Sequence, residues 1–206
     1  MSNAKSKENL VDCPFYTNEQ IQREVKSVAE RINTDWEGYT QACGYGHPLY
    51  ICLLSGGAPF FHDLIKYLEP GYVGYIAAYS YGNSKVPGAN TSVKVDFASI
   101  PDGVDINRVL IIDDICDSGK TLEKVTEKVK KIVDGVVKCL RSDRSVDVPI
   151  ETCVLLNRIM PGELKFEPNY SAIGVDNNYF FAGYGLDDEG LMRNLPYIYV
   201  CGRADD

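Results

Sequence analysis

Three uninterrupted apolar runs constrain this chain more than any other feature: Pro48–Leu54 (PLYICLL), Val109–Ile112 (VLII) and Thr152–Leu156 (TCVLL). A strand on a sheet with one wet face alternates apolar and polar side chains. A run without alternation has both faces covered, which is the condition of a parallel sheet packed between helices. The first run is closed by Ser55-Gly56-Gly57, and the second enters a cluster of aspartates.

Helical periodicity fills the intervals. Thr17 with Gln20 three residues later forms a capping-box pattern, and Ile21, Val25, Val28, Ala29 and Ile32 then fall on one face of a helix ending near Trp36–Gly38. Phe60–Leu68 reads as a second helix, stopped by Pro70-Gly71. Lys120–Val136 reads as a third, with Leu122, Val125, Val129, Ile132, Val133 and Val136 on its apolar side. Further strands are expected at Tyr72–Ser80, Val93–Phe97 and Tyr197–Cys201, with a mobile loop over Tyr81–Ala89 and an extended loop over Val136–Ile150. Strands alternating with helices imply βαβ crossovers, so the fold class is α/β: a mainly parallel twisted sheet with helices on both faces.

The chain has 206 residues, enough for one substantial core. Residues 1–14 read as a polar, flexible lead-in without an apolar signal core, and 15–206 as one domain. Net charge is −8, from 21 basic and 29 acidic residues. Such a surface repels phosphate backbones and argues against a nucleic-acid partner, while a local pocket can still hold a small anion. No stretch approaches the roughly 18 apolar residues of a membrane span. Seven scattered cysteines, several inside apolar runs and none in a CxxC pair, point to a reducing, cytoplasmic compartment. Cys43 and His47 lack a second ligand pair for zinc, so His47 and His62 read as structural or surface residues.

The chemistry concentrates after the second run, in Val109–Thr121 (VLIIDDICDSGKT). In an open parallel sheet, ligands sit beyond the carboxyl ends of strands, often against the free amides of a helix start. Asp113, Asp114 and Asp117 occupy that position. The amides of Asp117–Thr121, with Ser118, Gly119 and Lys120 between, suit a phosphate monoester, and the carboxylates suit sugar hydroxyls or a magnesium ion reached through water. The tail Gly119-Lys120-Thr121 is not a P-loop, because position 114 is Asp where that motif needs Gly, and no GxGxxG follows any strand. A helix start that merely complements its dipole is satisfied by one or two acids, not by an apolar strand running into DDxxDSGKT.

This thirteen-residue stretch resembles the diphosphate-sugar binding motif of the type I phosphoribosyltransferases, and the likeness extends along most of the chain toward the hypoxanthine-guanine members. Phe15-Tyr16-Thr17 resembles the family's opening element. Leu54-Ser55-Gly56-Gly57 resembles its pyrophosphate loop, where a non-proline cis peptide is usual. Tyr79-Ser80-Tyr81-Gly82 resembles its flexible catalytic loop, Phe180–Asp187 its purine-binding segment, and Arg193 a basic residue near the pyrophosphate. The resemblance implies a small hood contributed by both ends of the chain over a core of roughly 45–160.

It also implies roles. Asp117 matches the residue that accepts or holds the proton at purine N7. Asp113 and Asp114 match the pair at the ribose hydroxyls, with Mg²⁺ nearby, and Asp187 a residue that positions a second Mg²⁺. Ser80 and Tyr81 belong to the closing loop, and Phe180 to the purine stack. The implied partners are phosphoribosyl diphosphate and a purine base, hypoxanthine or guanine, handled by a homo-oligomer (dimer or tetramer) in purine salvage. Two positions depart from the pattern. Asn157 stands where the family has a lysine that donates to the 6-oxo group, and Phe181 where a smaller aliphatic residue is common. A lysine only donates, whereas an amide donates and accepts, so another base such as xanthine or adenine stays open. So does a non-catalytic regulator that binds the sugar diphosphate, against which the retention of Asp117 argues.

Overall fold

The apolar runs form the middle of a six-stranded sheet in the computed structural model, which describes residues 14–43, 46–80, 91–96, 104–140, 148–158, 166–176 and 178–203. Its strands are β1 (His47–Leu54), β2 (Tyr72–Ser80), β3 (Thr91–Asp96), β4 (Ile106–Cys116), β5 (Ile150–Arg158) and β6 (Tyr170–Val175), in the order β3-β2-β1-β4-β5-β6. All neighbours pair in parallel except β3, which runs antiparallel along β2 at one edge.

Covered faces explain the unbroken apolar runs. Tyr50, Cys52, Leu110, Ile112, Cys153 and Leu155 pack on one side with α1 (Asn18–Cys43) and α2 (Ala58–Leu64). Leu49, Ile51, Leu53, Val109, Ile111 and Val154 pack on the other with α3 (Lys120–Leu140). Burying both faces removes most of the apolar area of these strands from water, which is the main favourable term for a sheet of this kind.

The capping box forms as expected: the Gln20 amide donates to Thr17 Oγ1 at 3.3 Å, and the Thr17 amide to Gln20 Oε1 at 2.8 Å. The helix it opens runs past Trp36–Gly38, where it was expected to end, to Cys43. Trp36 is the reason. Its indole stacks on Tyr50 with centroids 6.2 Å apart, lies under the Arg108 guanidinium and donates to Glu151 at 2.8 Å. That anchorage outweighs the ~1 kcal/mol helix penalty of one glycine.

Other boundaries also move. The α2 helix stops at Leu64 and continues as a single 3₁₀ turn, Ile65–Tyr67. The third helix extends to Leu140, shortening the loop expected over Val136–Ile150. β6 was not foreseen, because an edge strand with exposed positions carries no continuous apolar run. β7 (Tyr179–Ala182) and β8 (Tyr199–Arg203) form a separate antiparallel pair, with β8 starting two residues later than the expected last strand, and Ile198 bridges Tyr16 near the start of the described chain. Among the described residues, no helix is long and apolar enough to cross a membrane.

One topological fact positions the site. From β1 the chain moves to β2 and β3 on one side, then crosses back to β4 on the other, so the order reverses between β1 and β4. The connections leave a crevice at the carboxyl ends of those two strands, the usual ligand position in open α/β sheets.

Candidate functional site

The β1 side of the crevice is Leu54–Gly57, where the Leu54–Ser55 peptide is cis. The β4 side carries Asp113 and Asp114. These were expected in a turn, but β4 continues to Cys116, pairing Asp113 with Val154 and Ile115 with Leu156, so both carboxylates stand on a strand. A Cβ on Gly56 would overlap the Asp114 carboxylate and approach Arg193 Nη1 to 3.2 Å. Only glycine admits that closeness, and with it the loop backbone meets the acidic strand. Asp113 Oδ1 accepts the Asp114 amide at 2.9 Å, and Asp114 Oδ1 accepts the Ile115 amide at 2.8 Å. Burial first, and then the Asp114 charge, push the Asp113 carboxyl well above its ordinary value. Burial also pushes Asp114 up, against the pull of hydrogen bonds and the Arg193 charge.

Past Cys116 the chain turns into α3, whose first-turn amides have no acceptor within the helix. Leu54, Ser55, Gly56, Asp113, Asp114, Asp117, Ser118, Gly119, Lys120, Thr121, Asp187 and Arg193 line one cavity of about 670 Å³, together with Ile115 and Ala77. Arg193 braces its far wall, donating to the Gly185 carbonyl at 2.5 Å and pairing with Asp187 at 2.5 Å. A glycine-rich loop, a carboxylate pair, a cationic wall and a free helix start form a site for a phosphorylated, hydroxyl-bearing ligand.

The phosphoribosyl transferase domain matches residues 15–189. The chain belongs to that family. The hypoxanthine-guanine phosphoribosyltransferase of Bacillus subtilis is 31% identical over 184 residues, 88% of either chain. The bifunctional protein TilS/HprT of Listeria monocytogenes serotype 4b is 29% identical over 200 residues, 95% of this chain. The match spans 27% of that longer protein, about a quarter of its length. A solved hypoxanthine phosphoribosyltransferase from Staphylococcus aureus superposes with a TM-score of 0.71 at 26% identity, covering 97% of this chain and 96% of that one.

The other candidate residues of this phosphoribosyl transferase domain do not line that cavity. Asn157 pairs in register with Cys116, next to Asp117, and is 7% exposed; its Oδ1 has no hydrogen-bond partner among the described residues. Arg158 Nε donates to Asp117 Oδ1 at 2.6 Å, and its Nη2 donates to the Tyr179 carbonyl at 2.9 Å. The two phenylalanines separate. Phe180 is 58% exposed, whereas Phe181 is buried in the core against Phe15, with centroids 5.3 Å apart. Gly57 is buried and caps the start of α2. Ser80 ends β2 and pairs with Thr91, while Tyr81 and the loop expected over Tyr81–Ala89 lie outside the described residues. His47 and His62 sit edge-on to Tyr72 and Phe61.

Sequence reasoning missed the tie between the turn after β7 and the helices α1 and α2. The Tyr184 hydroxyl and Gln22 Nε2 both donate to Asp63 Oδ2 at 2.6 Å, and Lys66 pairs with Asp63 Oδ1 at 2.6 Å. Burial pushes the Asp63 carboxyl up, but the bonds from Lys66, Tyr184 and Gln22 outweigh it and hold the group below its usual value. Only the tyrosine inside Gly183-Tyr184-Gly185 hinted at this, and no local spacing links it to Asp63 or Gln22.

Among the described residues no group of three or more ligating side chains converges on one point. A buried carboxylate pair without full compensation still fits a hard divalent cation that draws its other oxygens from substrate phosphates and water, the usual arrangement for Mg²⁺.

Proposed function

We propose that this chain is a purine salvage phosphoribosyltransferase, transferring the 5-phosphoribosyl group from phosphoribosyl diphosphate to hypoxanthine or guanine with release of pyrophosphate. One observation carries the reading: the cavity unites the Leu54–Gly57 loop, the Asp113–Asp114 pair and the α3 start, with Asp117 on its rim. The amides of Ser118–Thr121 and the Lys120 ammonium hold the 5-phosphate. Asp113 and Asp114 accept from the ribose hydroxyls, and the loop backbone with Arg193 holds the diphosphate. The purine stacks on Phe180 with Ile115 beneath, so that N7 faces Asp117, which holds its proton while another ring nitrogen attacks C1. Charge develops as an oxocarbenium ion forms and pyrophosphate departs, so neutralising the leaving group lowers the barrier most. Asp187 with Asp113 and Asp114, partly through water, would hold Mg²⁺, which supplies that neutralisation when bound.

Asn157 favours a second reading of the base alone. Its partnerless Oδ1 accepts from a 6-amino group, so adenine joins the 6-oxo purines as a candidate. The free thiols of Cys52, Cys116, Cys153 and Cys201 support a cytoplasmic setting, and the family likeness supports a homo-oligomer.

The deciding experiment measures pyrophosphate release from phosphoribosyl diphosphate with hypoxanthine, guanine, xanthine, adenine and uracil, with Mg²⁺ and with excess chelator. Metal-dependent turnover of a purine is expected. Turnover of uracil alone, full activity in chelator, or no release with any base would each overturn the assignment.

A further inference from the structure

The turn Gly183–Leu186 carries a tyrosine where its backbone favours glycine. Tyr184 has φ +50° between Gly183 at +98° and Gly185 at +99°, the left-handed region that a residue with a Cβ rarely adopts. A side chain persists in such a place only when its surroundings hold it there. Here the hold is on the phenol. Tyr184 is 5% exposed, and its hydroxyl donates to Asp63 Oδ2 at 2.6 Å. Gln22 Nε2 donates to the same oxygen at 2.6 Å, and Lys66 Nζ pairs with Oδ1 at 2.6 Å, so α1 and the 3₁₀ turn fix the carboxylate from two further sides. Burial first, and then the bond to Asp63, push the Tyr184 phenol up, which keeps its proton in that bond.

The turn thereby touches one short stretch of chain at both ends. Asp63, next to the last residue of α2, receives the Tyr184 hydroxyl. Gly56, just before α2, presents its carbonyl oxygen where a Cβ on Gly185 would stand. The same turn also carries the cavity wall. The Gly185 amide donates to the Arg193 carbonyl at 3.0 Å, Arg193 Nη1 donates back to the Gly185 carbonyl at 2.5 Å, and Asp187 follows two residues after Gly185. We propose that Asp63 and Tyr184 are positioning residues, a clamp that sets the distance between the Leu54–Gly57 loop and the wall of Asp187 and Arg193 and so governs binding of the diphosphate group. This rests on the purine-transfer reading above, in which the diphosphate lies between those two walls. Neither residue lines the cavity, and each acts through the Gly185 backbone.

Tyr184→Phe removes one oxygen and keeps the ring. With assays run well below the variant Tm, it should raise both KM for phosphoribosyl diphosphate and the titrated Kd of magnesium pyrophosphate by about 10-fold, the lower end of the range for a hydrogen bond to a charged group. kcat and KM for the base should stay within about threefold of the wild type. Asp63→Ala should match this split, and added to Tyr184→Phe it should weaken pyrophosphate binding by less than a further twofold or so, because the two are partners in one bond. Asp63→Asn, whose amide oxygen still accepts the hydroxyl, should keep KM for phosphoribosyl diphosphate within about threefold. If Asp63→Ala does not fold, Tyr184→Phe and Asp63→Asn carry the comparison. A bond that only stabilises the fold would lower Tm and leave pyrophosphate affinity unchanged, and that result would overturn the proposal, as would additive losses or a rise confined to the base KM. A wild type that neither turns over a base nor binds phosphoribosyl diphosphate sinks the functional reading and this inference with it. A wild type that binds, with an affinity Tyr184→Phe does not alter, sinks the inference alone.

Discussion

Asp117 is exposed and hydrogen-bonded to an arginine, and yet it lines the cavity that the proposed function assigns to a phosphorylated sugar. If it holds the purine proton, Asp117→Asn should reduce kcat by about 10²-fold or more, the ordinary range for a placed acid–base group, with far less change in phosphoribosyl diphosphate binding. Steady-state kinetics with a binding titration check this, and an unchanged kcat would reduce Asp117 to a turn residue. In the same proposal Asn157 would address the other end of the base. A neutral hydrogen bond contributes ~0.5–1.5 kcal/mol and a charged one ~1.5–3 kcal/mol. Replacing the amide with a lysine should therefore change selection at the 6-position by one to two kcal/mol, roughly tenfold. Asn157→Lys should raise kcat/KM for hypoxanthine or guanine relative to adenine. Flat ratios would mean that a backbone group or Arg158 already reads that position.

Backbone contacts join elements in this site as well as the long side chains of Arg158 and Arg193. The turn after β7 lies directly on the Leu54–Gly57 loop: Gly185 has φ +99°, and a Cβ there would overlap the Gly56 carbonyl oxygen. Gly185→Ala thus combines left-handed strain with displacement of the Leu54–Gly57 loop. A loss of about 2–3 kcal/mol is expected, which in a domain of this size lowers Tm by roughly 5–10 °C. If the displaced loop holds the diphosphate, as proposed, KM for phosphoribosyl diphosphate should rise more than KM for the base. Thermal melts and two-substrate kinetics read both effects. A rise confined to the base KM would show that the turn serves the purine side alone. The Asp63–Tyr184–Gln22 bonds hold the same interface from below, joining α2, the turn and α1 in one carboxylate-centred knot.

At the scale of the whole molecule, the site carries an electrostatic penalty in the absence of ligand. Burial and the mutual charge raise the folded-state values of Asp113 and Asp114 above those of the unfolded chain. For acids with raised values, the unfavourable contribution is absent below the ordinary carboxylate range. It grows as pH rises through that range, because the unfolded chain releases its protons first, and it is complete above the raised values. Mild acidification from neutrality should therefore relieve this part of the instability. Asp113→Asn should raise the ligand-free Tm at pH 7, flatten the pH dependence between pH 5 and 8, and weaken phosphoribosyl diphosphate binding. Melts across that pH range test the sign, and a lower Tm for the variant at pH 7 would show that the pair is already compensated. The same penalty would make the wild type responsive to the proposed ligand, since a bound cation and sugar hydroxyls would remove it and stabilise the fold by mass action.

The order of strands and helices was legible because the signals are local. An unbroken apolar run encodes a doubly covered strand, a hydroxyl followed three residues later by an amide encodes a helix start, and Val109–Thr121 carries strand end, carboxylates and helix start in consecutive residues. That Leu54–Gly56 and Asp113–Thr121 would line one cavity could be read for the same reason, since each part is a contiguous segment placed by its own strand. Tertiary structure alone decided the rest. Arg158 reaches Asp117 across 41 residues and Tyr184 reaches Asp63 across 121, pairings set by how the sheet, the helices and the turn after β7 pack. The extension of α1 depended on Trp36 finding Tyr50 and Arg108, which no helical propensity encodes. The separation of exposed Phe180 from buried Phe181 followed from which face of β7 meets Phe15. Local sequence fixes backbone conformation and the period of burial, but the partner of a side chain is chosen by packing among elements distant in the chain, and that choice built the base side of this site.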